Sequence, residues 1–284
     1  MKRSQSGSVL PGAIHFLAAA VLLFVLITGT GPASASGLSP VFTAADMFTE
    51  RDLLQEVNLA GAEKISVTSG QDVRISAEGV FVLSGAASGT TVYVDAAADE
   101  KVQLVLDGLE ITNSDFPCIY ILSADKVFIT TVADSVLTVT GEFRRDGNTK
   151  TDGTVFSKQD LVLNGTAALN VISAVNGIVC KDDLKITGGT YAVRAEKKAI
   201  EAKNSIRIAG GSFSLSAGTD TLHAENKDDS SLGYIYIGGG VFDIKAGDEG
   251  IHAVTVLQID GGTFSIASED GMNAAVIRFS SNVQ

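Results

Sequence analysis

The sequence predicts an all-β chain folded as a right-handed parallel β-helix, a solenoid of coils of about 22 residues that contribute three short strands each. Three observations predict this fold. Repeats of similar length and apolar pattern follow each other along the chain. Within a repeat, apolar residues alternate with a period of two, and a glycine pair recurs at the same position. The composition agrees, because 30 glycines, 4 prolines and no tryptophan favour many turns and short strands over a helical bundle.

The repeat is clearest between Gly177 and Lys198, which spell GIVCKDDLKITGGTYAVRAEKK. The next unit, AIEAKNSIRIAGGSFSLSAGTD, keeps the same apolar positions with few identical residues. A polar insertion, Asn226 to Gly233, lengthens a later unit and is expected to form a loop. Aligned on their glycine pairs, the units start at Thr154, Gly177, Ala199, Thr221, Gly250 and Gly271.

Each unit carries three pairs of apolar positions, and the members of a pair are two residues apart, which is the period of a β-strand. When the strands of successive coils stack, equivalent positions form a column. Each position in a column must be apolar and of suitable size, but it need not be the same residue in every coil. The glycine pair falls between the second and third strands, where a sharp corner is expected. In the unit that starts at Gly177 the pairs are Ile178 with Cys180, Leu184 with Ile186, and Tyr191 with Val193.

Residues 64–284 are therefore predicted to form the β-helix, and residues 36–63 a linker or cap. The segment TERDLLQEVNL within that linker is expected to be a short helix that covers an open sheet edge. Gly141 to Gly153 is expected to be a loop that interrupts the stack. No cap is recognisable after Met272, so we expect further sequence or a partner to cover that end.

Residues 1–35 resemble a secretory signal peptide, with Lys2 and Arg3 before the apolar run AIHFLAAAVLLFVLI and Ala33-Ser34-Ala35 as the cleavage signal. The alternative is an uncleaved anchor, although about 15 apolar residues are few for a bilayer span. We predict a secreted, extracellular protein, cell-surface association being the alternative, with no stable membrane insertion after cleavage. Cys118 and Cys180 are too few for a disulfide framework.

Charge and corner chemistry suggest a metal ion. The excess of 33 acids over 21 bases excludes a typical nucleic-acid partner. Acids recur at the corner before each new unit, and stacked oxygen ligands are what Ca²⁺ prefers, so calcium is the expected cofactor. His223 and His252 could together ligate a transition metal, but no third nitrogen or sulfur ligand is evident in the sequence, so calcium is the preferred ion. The candidate calcium ligands are Glu201, Asp220, Asp248, Glu249, Asp270 and Asn273.

Several longer runs resemble the secreted bacterial carbohydrate-binding-domain family of parallel β-helix proteins, similar in fold to pectate lyases. They include KVQLVLDGLEITNSDFPCIYILSADKVFITTVADSVLTVTG, GIVCKDDLKITGGT and GYIYIGGGVFDIKAGDEGIHA, and the likeness covers about Phe48 to Asn273. The resemblance implies binding of plant cell-wall polysaccharide such as cellulose or polygalacturonate, with calcium and without catalysis. The family's acid before Gly-Ile is matched by DEGI at 248–251 and EDGM at 269–272, whereas Lys197 and Lys198 break the pattern.

A polysaccharide is therefore the expected partner, and binding is expected to be non-catalytic. By strand alternation Lys185, Arg207 and Tyr236 point outward from the second strands and are the candidate substrate-binding residues. Two alternatives stay open. A calcium-dependent lyase would need a base at the sugar C5, for which Arg194 or Arg207 could serve, and a structural adhesion module would need no sugar site.

Overall fold

Short parallel strands make up most of the chain, as the period-two columns predict. The computed structural model describes residues 42–280 and 283, so the predicted signal peptide lies outside the described residues. Two helical turns precede the strands, α1 (Ala44–Met47) and α2 (Glu50–Leu53). The strands before the long loop are β1 (Glu63–Ser66), β2 (Val73–Ile75), β3 (Gly79–Ser88), β4 (Val92–Asp95), β5 (Lys101–Asn113), β6 (Ile119–Ser123), β7 (Lys126–Ala133) and β8 (Ser135–Val139).

The strands after that loop follow the regular repeat. They are β9 (Gly153–Ser157), β10 (Asp160–Gly165), β11 (Ala168–Ser173), β12 (Asn176–Cys180), β13 (Asp183–Ile186), β14 (Thr190–Ala195), β15 (Ile200–Ala202), β16 (Ser205–Ile208), β17 (Ser212–Ala217), β18 (Leu222–Ala224), β19 (Tyr234–Ile237), β20 (Val241–Ala246), β21 (Glu249–Ile259), β22 (Thr263–Ala267) and β23 (Gly271–Phe279).

Each strand pairs in parallel with its equivalent in a neighbouring coil, which confirms the parallel β-helix. The pairings form three stacks. The first sheet runs β2, β4, β6, β9, β12, β15, β18 and the starts of β21 and β23. The second runs β1, β3, β5, β7, β10, β13, β16, β19 and the ends of β21 and β23. The third runs from the ends of β3 and β5 through β8, β11, β14, β17, β20 and β22.

The core lies inside the coils and consists of the predicted apolar columns. Ile178, Ile200, Leu222 and Ile251 are stacked in register and fully buried. In the third sheet, the rings of Phe213, Phe242 and Phe264 stack with centroids 4.6 Å apart, and Tyr191 continues the stack at 5.4 Å from Phe213. That spacing matches the distance between parallel strands, so each coil extends one continuous core.

The glycine pairs lie at the corners between second-sheet and third-sheet strands, as predicted. Gly211 has φ +127°, and a Cβ there would lie 3.1 Å from the carbonyl oxygen of Gly189 in the preceding coil. A side chain would therefore strain this corner twice, through its backbone angle and through the neighbouring coil. The insertion from Asn226 to Gly233 and the segment from Gly141 to Asp152 lack strands, as expected.

Residues 42–62, here called the strap, are placed differently from the prediction. The helix expected in TERDLLQEVNL is only the four-residue α2, closed by a capping box between Thr49 and Asp52. The strap does not cover an end of the solenoid. It crosses the outer face of the second sheet, from Phe42, which exchanges two hydrogen bonds with Gln258, to Leu54, whose carbonyl accepts from Asn164.

The last described coil presents apolar surface. Val276, Ile277 and Phe279 of β23 are exposed. In the part of the chain that the structure describes, no helix has the length and apolar character needed to cross a bilayer.

Candidate functional site

The outward side chains of the first sheet form one continuous column along the solenoid, here called the first-sheet column. It exists because each first-sheet strand keeps its register with the next, so outward positions stack as the inward ones do. After Arg74 it is aromatic over three coils and becomes polar in the last four, while charged residues flank it at the corners. Its members are Arg74, Tyr93, Tyr120, Phe156, Val179, Glu201, His223, His252 and Asn273.

The aromatic part of the column is covered by the loop that precedes Gly153. Tyr120 is fully buried, and its hydroxyl donates to Asp146 of the loop at 3.0 Å. Burial, with this hydrogen bond and the charge of Asp146, raises the pKa of Tyr120 to about 12. Arg144 of the same loop lies 3.9 Å from the ring centre of Phe116. These rings therefore fix the loop and are not open for stacking on a sugar.

Beside this loop lies a cleft of about 570 Å³, lined by five lysines. Lys150 comes from the loop, Lys158 and Lys181 follow β9 and β12, and Lys197 and Lys198 form the corner before β15. Phe156, Asn176 and Thr219 also line this cleft, here called the lysine cleft. Its two lining acids, Asp152 and Glu201, leave an excess of three positive charges in a chain whose net charge is −12.

Glu201, predicted as a calcium ligand, belongs to the lysine cleft. Its carboxylate lies 3.1 Å from Nζ of Lys181 and 3.5 Å from Nζ of Lys198. Burial would raise the pKa of Glu201, but the charges of the two lysines outweigh it and hold that pKa below its usual range. Two ammonium groups occupy the space where a cation would bind, so Glu201 is not part of an acidic cluster.

A group of acids lies at the corners beside the later coils of the column. Ligand atoms of Asp220, Asp248 and Glu249 are all within 4.8 Å of one another. Burial and the negative charges of Glu249 and Asp220 raise the pKa of Asp248, with smaller contributions from Asp270 and Glu269. Three of the six predicted calcium ligands therefore converge, and their mutual repulsion favours a bound cation.

The other two candidates flank this group. Asn273 donates from its side-chain amide to Glu249 Oε1 at 2.8 Å, which leaves its own amide oxygen available. Asp270 joins the group through its backbone, whose N–H donates to the carbonyl of Asp248, and through its charge.

Both histidines of the column are oriented by acids three residues earlier. Nδ1 of His223 lies 2.8 Å from Asp220 Oδ2, and Nδ1 of His252 lies 2.7 Å from Glu249 Oε2. Burial raises the pKa of Asp220, but the hydrogen bond and charge of His223 outweigh it and lower that pKa. The two imidazole rings stack with centroids 4.7 Å apart and an interplanar angle of 12°.

The predicted substrate-binding residues lie on the second sheet, under or beside the strap. Tyr236 is 2% exposed and Lys185 is 7% exposed, with Lys185 Nζ bound to Asp52 of the strap at 2.6 Å. Arg207 is held by Asp183 at 2.6 Å. Alternation places all three outward, as predicted, but the strap covers Lys185 and Tyr236, so in this arrangement these two side chains are not accessible to a polysaccharide.

The protein is a parallel β-helix solenoid. Charged residues lie at the corners along one of its outer faces. Residues 69–282 match the family model described as carbohydrate-binding domain-containing protein, and the chain belongs to that family. This confirms the resemblance seen in the sequence.

Two known proteins are similar over much of the chain. A carbohydrate-binding domain-containing protein of Acetivibrio thermocellus is 35% identical over 187 residues, which cover 63% of this chain and 64% of the relative. The match thus spans less than two thirds of that relative's length. The solved structure of the polysaccharide lyase-like protein from C. thermocellum, a gadolinium derivative, has a TM-score of 0.71 and 29% identity, covering 78% of this chain and 96% of that one.

The lysine cleft is the part of the site that the sequence alone does not predict. In the sequence, Lys197 and Lys198 stand out only as a break in an acidic pattern. The signal was present in the repeat, because Lys158, Lys181 and Lys203 each follow the last residue of a first-sheet strand. The contribution of the loop, Lys150, could not be aligned because it lies outside the repeat.

Proposed function

We propose that this protein binds acidic plant cell-wall polysaccharide of the polygalacturonate type, without catalysis, in the lysine cleft of the first sheet. The observation that carries the proposal is the concentration of five lysines around one cleft in a chain of net charge −12. An acidic protein and an acidic polymer repel each other overall, so contact needs a local region of opposite charge.

The open shape of the cleft suits an extended polymer. Lys150 is exposed and pairs with Asp152, while Lys181 and Lys198 are held in place by Asp152 and Glu201. Uronate carboxylates would accept from Lys158 and Lys197, which make no ion pair with a described acid, and two further lining residues, Asn176 and Thr219, offer neutral hydrogen bonds to hydroxyls. Each contact is weak by itself, so affinity would grow with the number of sugar units engaged.

The relatives support the class of partner. The Acetivibrio thermocellus relative and the family model carry the name carbohydrate-binding, and the solved neighbour is described as polysaccharide lyase-like. We place the protein outside the cell, because a plant cell-wall polymer is met there and because residues 1–35 resemble a signal peptide.

Calcium is proposed as an aid to this binding. Asp220, Asp248 and Glu249 would hold the ion, since their oxygens converge and Asp248 is crowded by like charges. Ca²⁺ takes six to eight oxygens, so carboxylates of the polymer would fit among its remaining ligands. The ion would thereby neutralise these three acids and let the polymer continue past the lysine cleft.

Affinity electrophoresis in gels with and without polygalacturonate tests the proposal. We expect retardation of the wild type, increased by Ca²⁺ and reduced by a chelator. The double variant K158Q/K197Q, which removes two cleft lysines that make no ion pair with an acid, should bind about three- to tenfold more weakly. The control K64Q/K245Q removes the same charge from exposed positions on other faces and should migrate as the wild type does.

Equal retardation of the two double variants would contradict the cleft as the binding site. Absence of retardation in polygalacturonate gels, with and without Ca²⁺, would contradict the polymer. A rise in ultraviolet absorbance from unsaturated uronates would show a lyase and contradict non-catalytic binding.

A further inference from the structure

The stacked histidines of the first-sheet column have a chemistry that the proposed function does not use. In each imidazole Nδ1 is engaged by a carboxylate, Asp220 for His223 and Glu249 for His252. A neutral imidazole that donates from Nδ1 carries its lone pair on Nε2. Because the two strands are in register, both Nε2 atoms belong to rings stacked 4.7 Å apart.

The Nε2 atom of His223 is left without a hydrogen-bond partner although the residue is only 7% exposed. A carboxylate oxygen of Glu225 lies 3.7 Å from this atom, and Nζ of the exposed Lys227 lies 3.5 Å from the same oxygen. When the imidazole proton is on Nδ1, the Nε2 lone pair and this carboxylate both offer electron pairs to the space between them. That space, on the side of the rings opposite Asp220 and Glu249, suits a metal ion, which would compete with Lys227 for Glu225.

We propose that His223 and His252 bind one transition-metal ion of the zinc, copper or nickel type through their Nε2 atoms, with Glu225 as a carboxylate ligand. Imidazole nitrogen suits these metals, whereas Ca²⁺ prefers oxygen, so this site is distinct from the calcium ligands. A carboxylate on the far nitrogen of a ligating histidine is the usual arrangement, because it fixes the tautomer and the ring orientation.

One of the three ligand pairs is already near the required spacing, and the histidine pair must rearrange. In a tetrahedral site with bonds of about 2.0 Å the ligand atoms lie about 3.3 Å apart, close to the 3.7 Å between His223 Nε2 and Glu225. The rings must tilt toward each other from their parallel stack. His252 and Glu225 are both more exposed than His223, with side chains 23% and 34% exposed, so they can move to the more fixed ring.

The test uses the full chain without an affinity tag. Equilibrium dialysis with Zn²⁺ should show one bound ion per chain, and electron paramagnetic resonance with Cu²⁺ should show nitrogen ligands. H223N and H252N keep a donor for Asp220 or Glu249 and remove only Nε2, and each should lower metal affinity about tenfold or more. E225Q should lower it less, and circular dichroism should show each variant folded.

A control separates this site from the neighbouring acids. D248N removes an acid of the calcium group that makes no hydrogen bond to either imidazole. It should bind Zn²⁺ as the wild type does. The proposal is overturned if H223N and H252N bind Zn²⁺ like the wild type, or if Cu²⁺ shows oxygen ligands only. Because Zn²⁺ binding is measured without glycan, the result is independent of polysaccharide binding.

Discussion

Asp160, the first residue of β10, lies close to acids of the next coil because the repeat stacks equivalent positions. Burial together with the charges of Asp183 and Asp182, which stand near it in the next coil, raises the pKa of Asp160 to about 6. Lys126, 3.8 Å away in the preceding coil, offsets this only in part. Stacking by register brings like charges together as readily as it brings apolar residues together.

D160N is therefore expected to stabilise the fold at neutral pH. The folded-state pKa of Asp160 lies above its usual value of 3.8, which means that the fold favours the protonated carboxyl. The stability that this proton contributes is fully present below about pH 4 and is lost as the pH rises through about 6. Asparagine stays neutral throughout. Thermal unfolding at pH 7.5 should show a gain of about 2 kcal/mol, and at pH 4 almost none.

The control for this prediction is D99N, which removes an acid from an exposed turn. It should leave the unfolding temperature nearly unchanged at both pH values. A gain from D160N that is equal at pH 4 and pH 7.5 would show that titration of this carboxyl is not the cause.

The strap is the element on which sequence and structure differ most. Asp52, fully buried, meets Lys185 at 2.6 Å and Lys126 at 3.8 Å, and Arg51 lies 4.4 Å from the ring centre of Phe128. Burial raises the pKa of Asp52, but the hydrogen bond from Lys185 and one from the Thr49 backbone outweigh it and lower that pKa. The strap is thus held by charge pairs beneath it and by the ring of Phe42, which stacks on Tyr234 with centroids 4.6 Å apart.

D52A is expected to release the strap. It would leave the buried ammonium of Lys185 without its partner, at a cost of about 3–5 kcal/mol. Limited trypsin digestion should then cut after Arg51 much faster than in the wild type, and thermal unfolding should begin at lower temperature. E50Q, on the exposed side of the same helical turn, should behave as the wild type does.

Acid should act in the same direction as D52A. Because the folded pKa of Asp52 is lowered, its stabilising contribution is present above the usual carboxyl range and is lost as the pH falls through the folded value. Cleavage after Arg51 that is no faster in D52A than in E50Q would contradict this role of the charge pair.

How much of this could be predicted depends on whether a residue belongs to the repeat. The columns placed Ile178, Tyr191 and Gly211 correctly, because register turns spacing along the chain into stacking in space. The same alternation placed Tyr236 outward, but only the structure shows that the strap covers it. A segment outside the repeat has no column to align with, and its contacts join residues more than 100 positions apart, as between Phe42 and Gln258.

At the scale of the whole molecule, charge is sorted along the solenoid axis. The corner before each first-sheet strand is basic at Lys197 and Lys198 and acidic at Asp248 and Glu249 two coils later. An acidic polymer that runs along this face would meet attraction and then repulsion unless cations bind at the acidic end. Polymer binding should therefore have two contributions, one direct from the lysines and one from cations held by the acids, and these can be measured separately.

Raising the salt concentration should separate them. With a chelator present, retardation by polygalacturonate should rest on the lysines alone and fall steeply between about 0.05 M and about 0.5 M NaCl, because exposed charges are screened within a few ångströms at high salt. Methyl-esterified pectin, which has lost most of its carboxylates, should be bound weakly at every salt concentration. Retardation that is insensitive to salt and equal for both polymers would instead indicate recognition of sugar hydroxyls, and the lysine cleft would not be its cause.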